Sequence, residues 1–198
     1  NMKTQQPRMT PLELARIHAP LVPKLATVRA AIYSEMDDET SAAISLEAAA
    51  DTCALLATMH KSQDTDESKL RAAENFIQAA WLTLWLGGDV ETAQGFLYEV
   101  ATLAQMDSSE QQRFDGWIAL RNGDLQLALQ LLTPLTNDPA AKAGAALALL
   151  SIGKTKEAAT FFLDIARVQG GTILGVWSRN RLQNIVGQSF EVREEVAL

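Results

Sequence analysis

Residues able to do chemistry are sparse in this 198-residue chain. The two histidines, His18 and His60, are not spaced as a ligand pair and have no Cys/His cluster near them, which leaves them helix-surface or helix-end roles. The single cysteine, Cys53, rules out an internal disulfide and sits in an Ala/Leu-rich stretch, where a buried, inert thiol is expected. Asp64-Thr65-Asp66-Glu67-Ser68 opens like a calcium loop, but the turn glycine would fall at Lys69 and the bidentate glutamate at Asn75. Gly153-Lys154-Thr155 has the end of a phosphate-binding loop, yet no glycine precedes it at the required spacing and no strand feeds it. Asp37, Asp38 and Glu39 are adjacent acids in a polar loop, expected to be a solvated cap for the next helix rather than an acid/base pair. No residue is assigned a catalytic or metal-ligating role, no cofactor is implied, and the expected function is non-catalytic.

One constellation remains. Arg113 and Arg121 are eight residues apart with Trp117 midway, so a helix would carry all three on nearly one face. Two guanidiniums flanking an aromatic ring can grip a carboxylate or an acidic peptide through bidentate hydrogen bonds. The other reading makes Trp117 core, with the two Arg stems covering it.

The elements that must position these residues are helices. Val, Ile, Thr, Tyr and Phe never alternate with polar residues over a useful length, whereas Ala, Leu, Gln and Glu dominate. Thr10-Pro11-Leu12-Glu13 supplies a cap, a first-turn proline and a capping-box glutamate. From there Leu14, Ile17, Leu21, Leu25, Val28 and Ile32 hold one face, expected to be inward, kinked or split at Pro20 and Pro23. A second helix is expected over about 41–60 with Ile44, Ala48, Leu55 and Met59 inward, followed by a polar linker at Lys61 to Ser68. Further helices are expected at about 68–86, 89–105, 109–121, 124–136, 139–151, 154–168 and 172–187. The division is thus a tail at 1–9, a helical hairpin region at 10–62, a helical array with a capping helix at 68–188, and a fraying tail at 189–198, all within a single unit.

Three turns in that array can be superimposed: "GGDVETAQGFLYEV", "NGDLQLALQLLTPL" and "IGKTKEAATFFLDI". Gly88, Ala93 and Leu97 correspond to Gly123, Ala128 and Leu132 and to Gly153, Ala158 and Phe162, with the glycines 35 and 30 residues apart. Glycine ends one helix in a left-handed cap, alanine lets the next helix approach, and the Leu or Phe one turn later plugs the space between hairpins. In these residues the chain resembles the tetratricopeptide repeat family, hairpins of about 34 residues with A-x3-F in the second helix. The first-helix half of the motif is degenerate: Gly116 and Ala146 fit its small position, while Trp81 occupies it in the first repeat. The resemblance covers about 70–170, and the N-terminal region carries no such motif. It implies an all-α, right-handed array of antiparallel hairpins whose first helices line a concave surface for a peptide or partner segment. Carried onto this chain, the groove positions are Asn75, Gln78, Leu82 and Trp85, then Arg113, Trp117, Leu120 and Arg121, then Ala143, Leu147 and Leu150. The last three belong to an Ala/Leu-rich repeat that the N-terminal hairpin or the capping helix would cover, shortening or closing the groove.

Composition narrows the partners. With a net charge of −7 the chain exerts no general pull on phosphate backbones or anionic lipid, so a protein or peptide is expected rather than nucleic acid. Apolar repeat faces, the Ala/Leu-rich third repeat above all, offer a homodimer as the alternative, and a ligand pocket between the N-terminal helices and the repeats is a further one. The most apolar windows, 76–88 and 143–152, are too short to span a bilayer, so no direct membrane insertion is expected. The opening Asn-Met-Lys-Thr-Gln-Gln lacks the apolar core of a signal peptide, and the compartment stays unassigned.

Overall fold

A computed structural model describes residues 21–135 and 137–195, with side chains through residue 187. The described residues are all-helical, with no strand. The helices are α1 (Val22–Glu35), α2 (Glu39–Lys61), α3 (Asp66–Leu86), α4 (Val90–Leu103), α5 (Ser108–Arg121), α6 (Leu125–Leu132), α7 (Pro139–Ser151), α8 (Thr155–Val168) and α9 (Ile173–Glu195). The expected start at Thr10 to Glu13, with Leu14, Ile17 and His18, lies outside the described residues. Pro23 sits in the first turn of α1, where its missing N–H costs nothing, so no kink arises there. Helix α6 stops four residues before its expected end: Thr133 is still helical in backbone, but Pro134 after it has no N–H with which to continue the ladder. Helix α9 continues to Glu195 instead of fraying after 187, since Gly187 does not take up a left-handed conformation and nothing after it breaks the helix.

Four corners of the fold are built alike. Gly87, Gly123 and Gly153 have φ of 77°, 82° and 79°, and Asp37 has 58°. At each, the residue's own N–H reaches the carbonyl three back and the following N–H reaches the carbonyl five back, as in Gly123 to Leu120 (3.1 Å) and Asp124 to Ala119 (2.9 Å). This is the Schellman closure of a helix end. The next helix begins at once, and four and eight residues beyond its N-cap come Ala42 and Leu46, Ala93 and Leu97, Ala128 and Leu132, and Ala158 and Phe162. All four alanines are buried.

Two sequence expectations are thereby corrected. The left-handed residue of the first glycine turn is Gly87, not Gly88; Gly88 is an inserted residue ahead of the cap Asp89. Counting seven residues back from each left-handed position gives Ala30, Ala80, Gly116 and Ala146, all buried, so Ala80 rather than Trp81 holds the small position in α3. The N-terminal hairpin also carries the corner after all: Asp37 replaces the glycine, an acceptable exchange because aspartate tolerates left-handed backbone better than most residues. Asp38 then caps α2 by accepting from Ser41 N at 3.0 Å, which makes the acidic loop the expected helix cap.

Leucine 132 locks two hairpins together. A Cβ on Gly116 would stand 2.5 Å from its Cγ, and one on Gly144 would stand 2.7 Å from its Cδ1 and 2.9 Å from Trp117 Cε2. Helices α5 and α7 therefore close on one side chain from α6, and a methyl group at either glycine has no room. The helices α3, α5, α7 and α9 also pack in series, and α1 packs against α9. That last contact joins the two ends of the described chain: Arg179 pairs with Glu35, and Asn180 Nδ2 donates to the Ser34 carbonyl at 2.9 Å.

Helix α1 does not face the way its periodicity suggested. Its buried residues are Ala26, Ala30 and Ser34, while Leu25, Val28 and Ile32 are more than half exposed. In α2 the expected inward Ile44 and Leu55 are likewise exposed, and Ala42, Ser45, Leu46, Ala49, Cys53 and Leu56 face inward. Small residues win the inner face of α1 because it packs closely on α2, whose own inward face mixes Ala and Ser with Leu46 and Leu56. Helix α2 is also long and apolar enough to cross a membrane by length and composition, with 44% of that stretch buried inside the molecule.

We expect Gly144→Ala to destabilise the protein by about 1–3 kcal/mol through overpacking against Leu132 and Trp117. Gly171→Ala, with open space around the new methyl, should change the denaturant midpoint little. At the first corner, Asp37→Gly should retain full stability while Asp37→Val loses about 1–2 kcal/mol, as measured by chemical denaturation.

Candidate functional site

The Arg113, Trp117 and Arg121 face of α5 points into the molecule. Trp117 is fully buried, and its Nε1 donates to the Ala140 carbonyl of α7 at 3.0 Å. Trp81 meets it edge to face at 5.1 Å, stacks on Trp85 at 5.7 Å, and Trp85 in turn meets Trp177 edge to face at 5.8 Å. Phe162 closes the run against Trp177 at 5.5 Å. All four tryptophans of the chain thus form one connected seam across α3, α5 and α9, and the hairpin helices converge on it.

Both arginines are committed to that seam's surroundings. Arg121 lies 5.5 Å over the Trp117 ring and donates from Nε and NH2 to the carbonyls of Leu84 and Trp85 in the last turn of α3, the first of which also accepts from the Gly87 N–H at 3.2 Å. A Cβ at Gly87 would meet the guanidinium at 3.4 Å, an ordinary contact, so glycine is required there by its φ of 77° rather than by this reach. Burial lowers the pKa of Arg121 from its ordinary value, but an arginine starts so high that it keeps its charge. Arg113 stacks 5.0 Å over Phe114 and bridges Glu110 at 2.9 Å and Asp138 at 3.1 Å. The other oxygen of Asp138 caps α7 through the amides of Ala140 and Ala141, so one carboxylate fixes a helix start and an interhelical ion pair.

The expectation of an open strip at these residues is not met. The ring has no free face, and the guanidiniums already hold internal acceptors, which is the arrangement in which Arg stems cover a core tryptophan. Of the other groove positions, Trp85, Leu82 and Ala143 are buried and Leu120, Leu147 and Leu150 partly so. Asn75 donates within its own helix to the Arg71 carbonyl at 2.8 Å, and Gln78 is exposed one turn ahead of Trp81. The Ala/Leu-rich α7 buries Ala141, Ala143, Ala145, Ala146, Ala148 and Leu149.

No family model, curated protein or solved structure matches the chain.

What the fold leaves exposed lies elsewhere. Leu21, Val22, Leu25, Val28, Ile32 and Met36 form an apolar face along α1, with Leu25 65% and Met36 69% exposed. Beside it a cavity of about 390 Å³ runs between α1 and the start of α9, lined in part by Val28, Ile32, Ile173 and Val176. An apolar face of this length is a candidate contact surface. The periodicity of this face was legible in the sequence; its direction was not. Among the described residues, no group of three His, Cys, Asp or Glu side chains is gathered as metal ligands. His60 is half-buried near the end of α2. Cys53 is 3% exposed, and burial pushes its thiol up to about 11.

Two outcomes follow. Arg121→Lys should cost about 2–3 kcal/mol, because a lysine cannot serve both carbonyls and loses the ring contact. Cys53 should resist thiol reagents at pH 8 in the folded protein and react on unfolding. Its unfolded thiol titrates near 9.0 and its folded one near 11, so the unfolded state loses its proton first and stability falls as pH rises through that interval. Denaturation of Cys53→Ala across the same interval should lack that part of the decline.

Proposed function

We propose that the chain is a non-catalytic protein–protein interaction module, built as a tetratricopeptide-like array of helical hairpins, whose contact surface is the exposed face of α1. The observation that carries this reading is the run of six large apolar side chains, Leu21 to Met36, held outward on a helix whose opposite side is tightly packed. The array is supported by the four matching corners and by the small residue seven positions before each left-handed cap. A preorganised helix face suits binding because little conformational freedom is lost when a partner covers it. An ion pair from Arg179 of α9 to Glu35 and a hydrogen bond from Asn180 to the Ser34 carbonyl hold α1 in place from behind.

The partner is a protein surface or amphipathic helix with an apolar stripe, since a row of Leu, Val, Ile and Met side chains supplies area and few directional polar contacts. This relocates binding from the α5 side chains to a surface that costs nothing to uncover. Arg113→Ala and Arg121→Ala act mainly on stability in this account, whereas polar substitutions on α1 act on binding alone.

The test is site-specific photo-crosslinking in living cells, with the reactive amino acid placed at Val28 or, as control, at Gln78. A discrete protein adduct is expected at Val28 only, and Leu25→Glu with Ile32→Glu should reduce it at least tenfold without altering the helical circular dichroism. Equal adducts from both positions, or an adduct indifferent to the two glutamates, would contradict the assignment.

A further inference from the structure

Resting on that reading of α1, we infer that the occupant of the face is a second copy of this chain, joined by antiparallel pairing of the two α1 helices about a two-fold axis near Val28. The spacing is the first argument. Leu21, Leu25, Val28 and Ile32 follow each other at four, three and four residues, the seam of a helix that packs along a second helix. A seam of this kind is narrower than the broad stripe a helix needs to lie on a globular core. It extends from Leu21 to Met36, so its midpoint falls at Val28 and Arg29, and an isologous contact centred there pairs each half of the seam with the other.

Charge selects both the partner and the direction. From Val22 to Ser34 the only charged residues are Lys24 and Arg29, both basic, while the corner that follows carries Glu35, Asp37, Asp38 and Glu39, all acidic. The last turn of α1 contains no basic residue, so the negative end of this helix meets more negative charge along its own chain. Arg179 of α9 pairs with Glu35. An antiparallel second copy brings an exposed Lys24 toward each acidic corner and sets the helix dipoles in opposition, with Arg29, nearest the axis, donating from Nε to Ser45 Oγ of α2 at 3.1 Å; parallel copies set Lys24 beside Lys24 and one acidic corner beside the other. The apolar lining of the adjoining cavity, Ile173 and Val176 with Val28 and Ile32, widens the seam beyond α1 itself.

The experiment combines light scattering with cysteine cross-linking. The wild-type protein should have the mass of a dimer, and Leu25→Glu with Ile32→Glu, both surface changes, should give a monomer of unchanged circular dichroism. Val28→Cys should form a covalent dimer on mild oxidation, since each copy meets itself at the axis and the native Cys53 is buried. Leu21→Cys, about 20 Å from its symmetry mate at ~1.5 Å rise per residue, should not. A wild-type monomer at several hundred micromolar, a dimer that survives both glutamates, or equal cross-linking at positions 21 and 28 would overturn the pairing. A monomer whose Val28 photo-adduct still disappears with the two glutamates removes the second copy while leaving the interaction face intact; a Val28 adduct indifferent to the glutamates removes both.

Discussion

Close approach of helix backbones at a left-handed corner is the constraint on which the rest of this structure depends. At each of four corners the chain reverses within three residues, and the outgoing helix must then pass over the incoming one at small side chains. Ala30, Ala80, Gly116 and Ala146 supply the lower surface, and Ala42, Ala93, Ala128 and Ala158 the upper. Only after the backbones are this close can Leu132 fill the remaining gap between Gly116 and Gly144, or the Arg121 guanidinium reach the end of α3. The tryptophan seam follows, because Trp81 and Trp117 stand one residue after the small positions of neighbouring hairpins and are brought edge to face by the packing of their helices. Aromatic pairs in this geometry add about 0.5–1.5 kcal/mol beyond their buried area, so the seam strengthens a convergence that small residues permit.

The same constraint decides where function can lie. Trp85 and Trp117 are buried, Trp81, Trp177 and the two arginines are partly so, and turning any of them toward a ligand means breaking the ion pairs, carbonyl contacts or ring contacts that hold them. Helix α1 stands in the opposite position. Its small face satisfies the close packing against α2, and its large apolar residues are left over, outward, on a rigid support. In the proposed account this surplus is what makes the chain an interaction module.

Much of the fold was legible in the chain. Caps such as Asp138-Pro139, the glycine turns and the spacing of Ala128 and Leu132 each have one physical meaning, and they fall where that meaning places them. The one-residue error at Gly88 arose because two adjacent glycines can each adopt the left-handed conformation, and composition does not say which one the hydrogen bonds select. The corner at Asp37 was hidden because the position needs a tolerant backbone, a property that glycine advertises and aspartate does not. The orientation of α1 and the fate of Trp117 were illegible for a deeper reason. Both helices have apolar residues on two faces, and periodicity reports that a face exists without reporting which neighbour claims it. Size complementarity settles that choice, and it is a property of pairs of helices rather than of either sequence alone.

The measurement that tests the closed tryptophan seam most directly is acrylamide quenching of intrinsic fluorescence. With all four tryptophans in contact and Trp117 without solvent exposure, the emission should be blue-shifted and weakly quenched. Unfolding should move it to the red in one transition that coincides with loss of helical circular dichroism. Red-shifted, readily quenched emission from protein that is fully helical would mean that the inner surface is open and that the aromatic residues are available to a ligand, contrary to the packing described above.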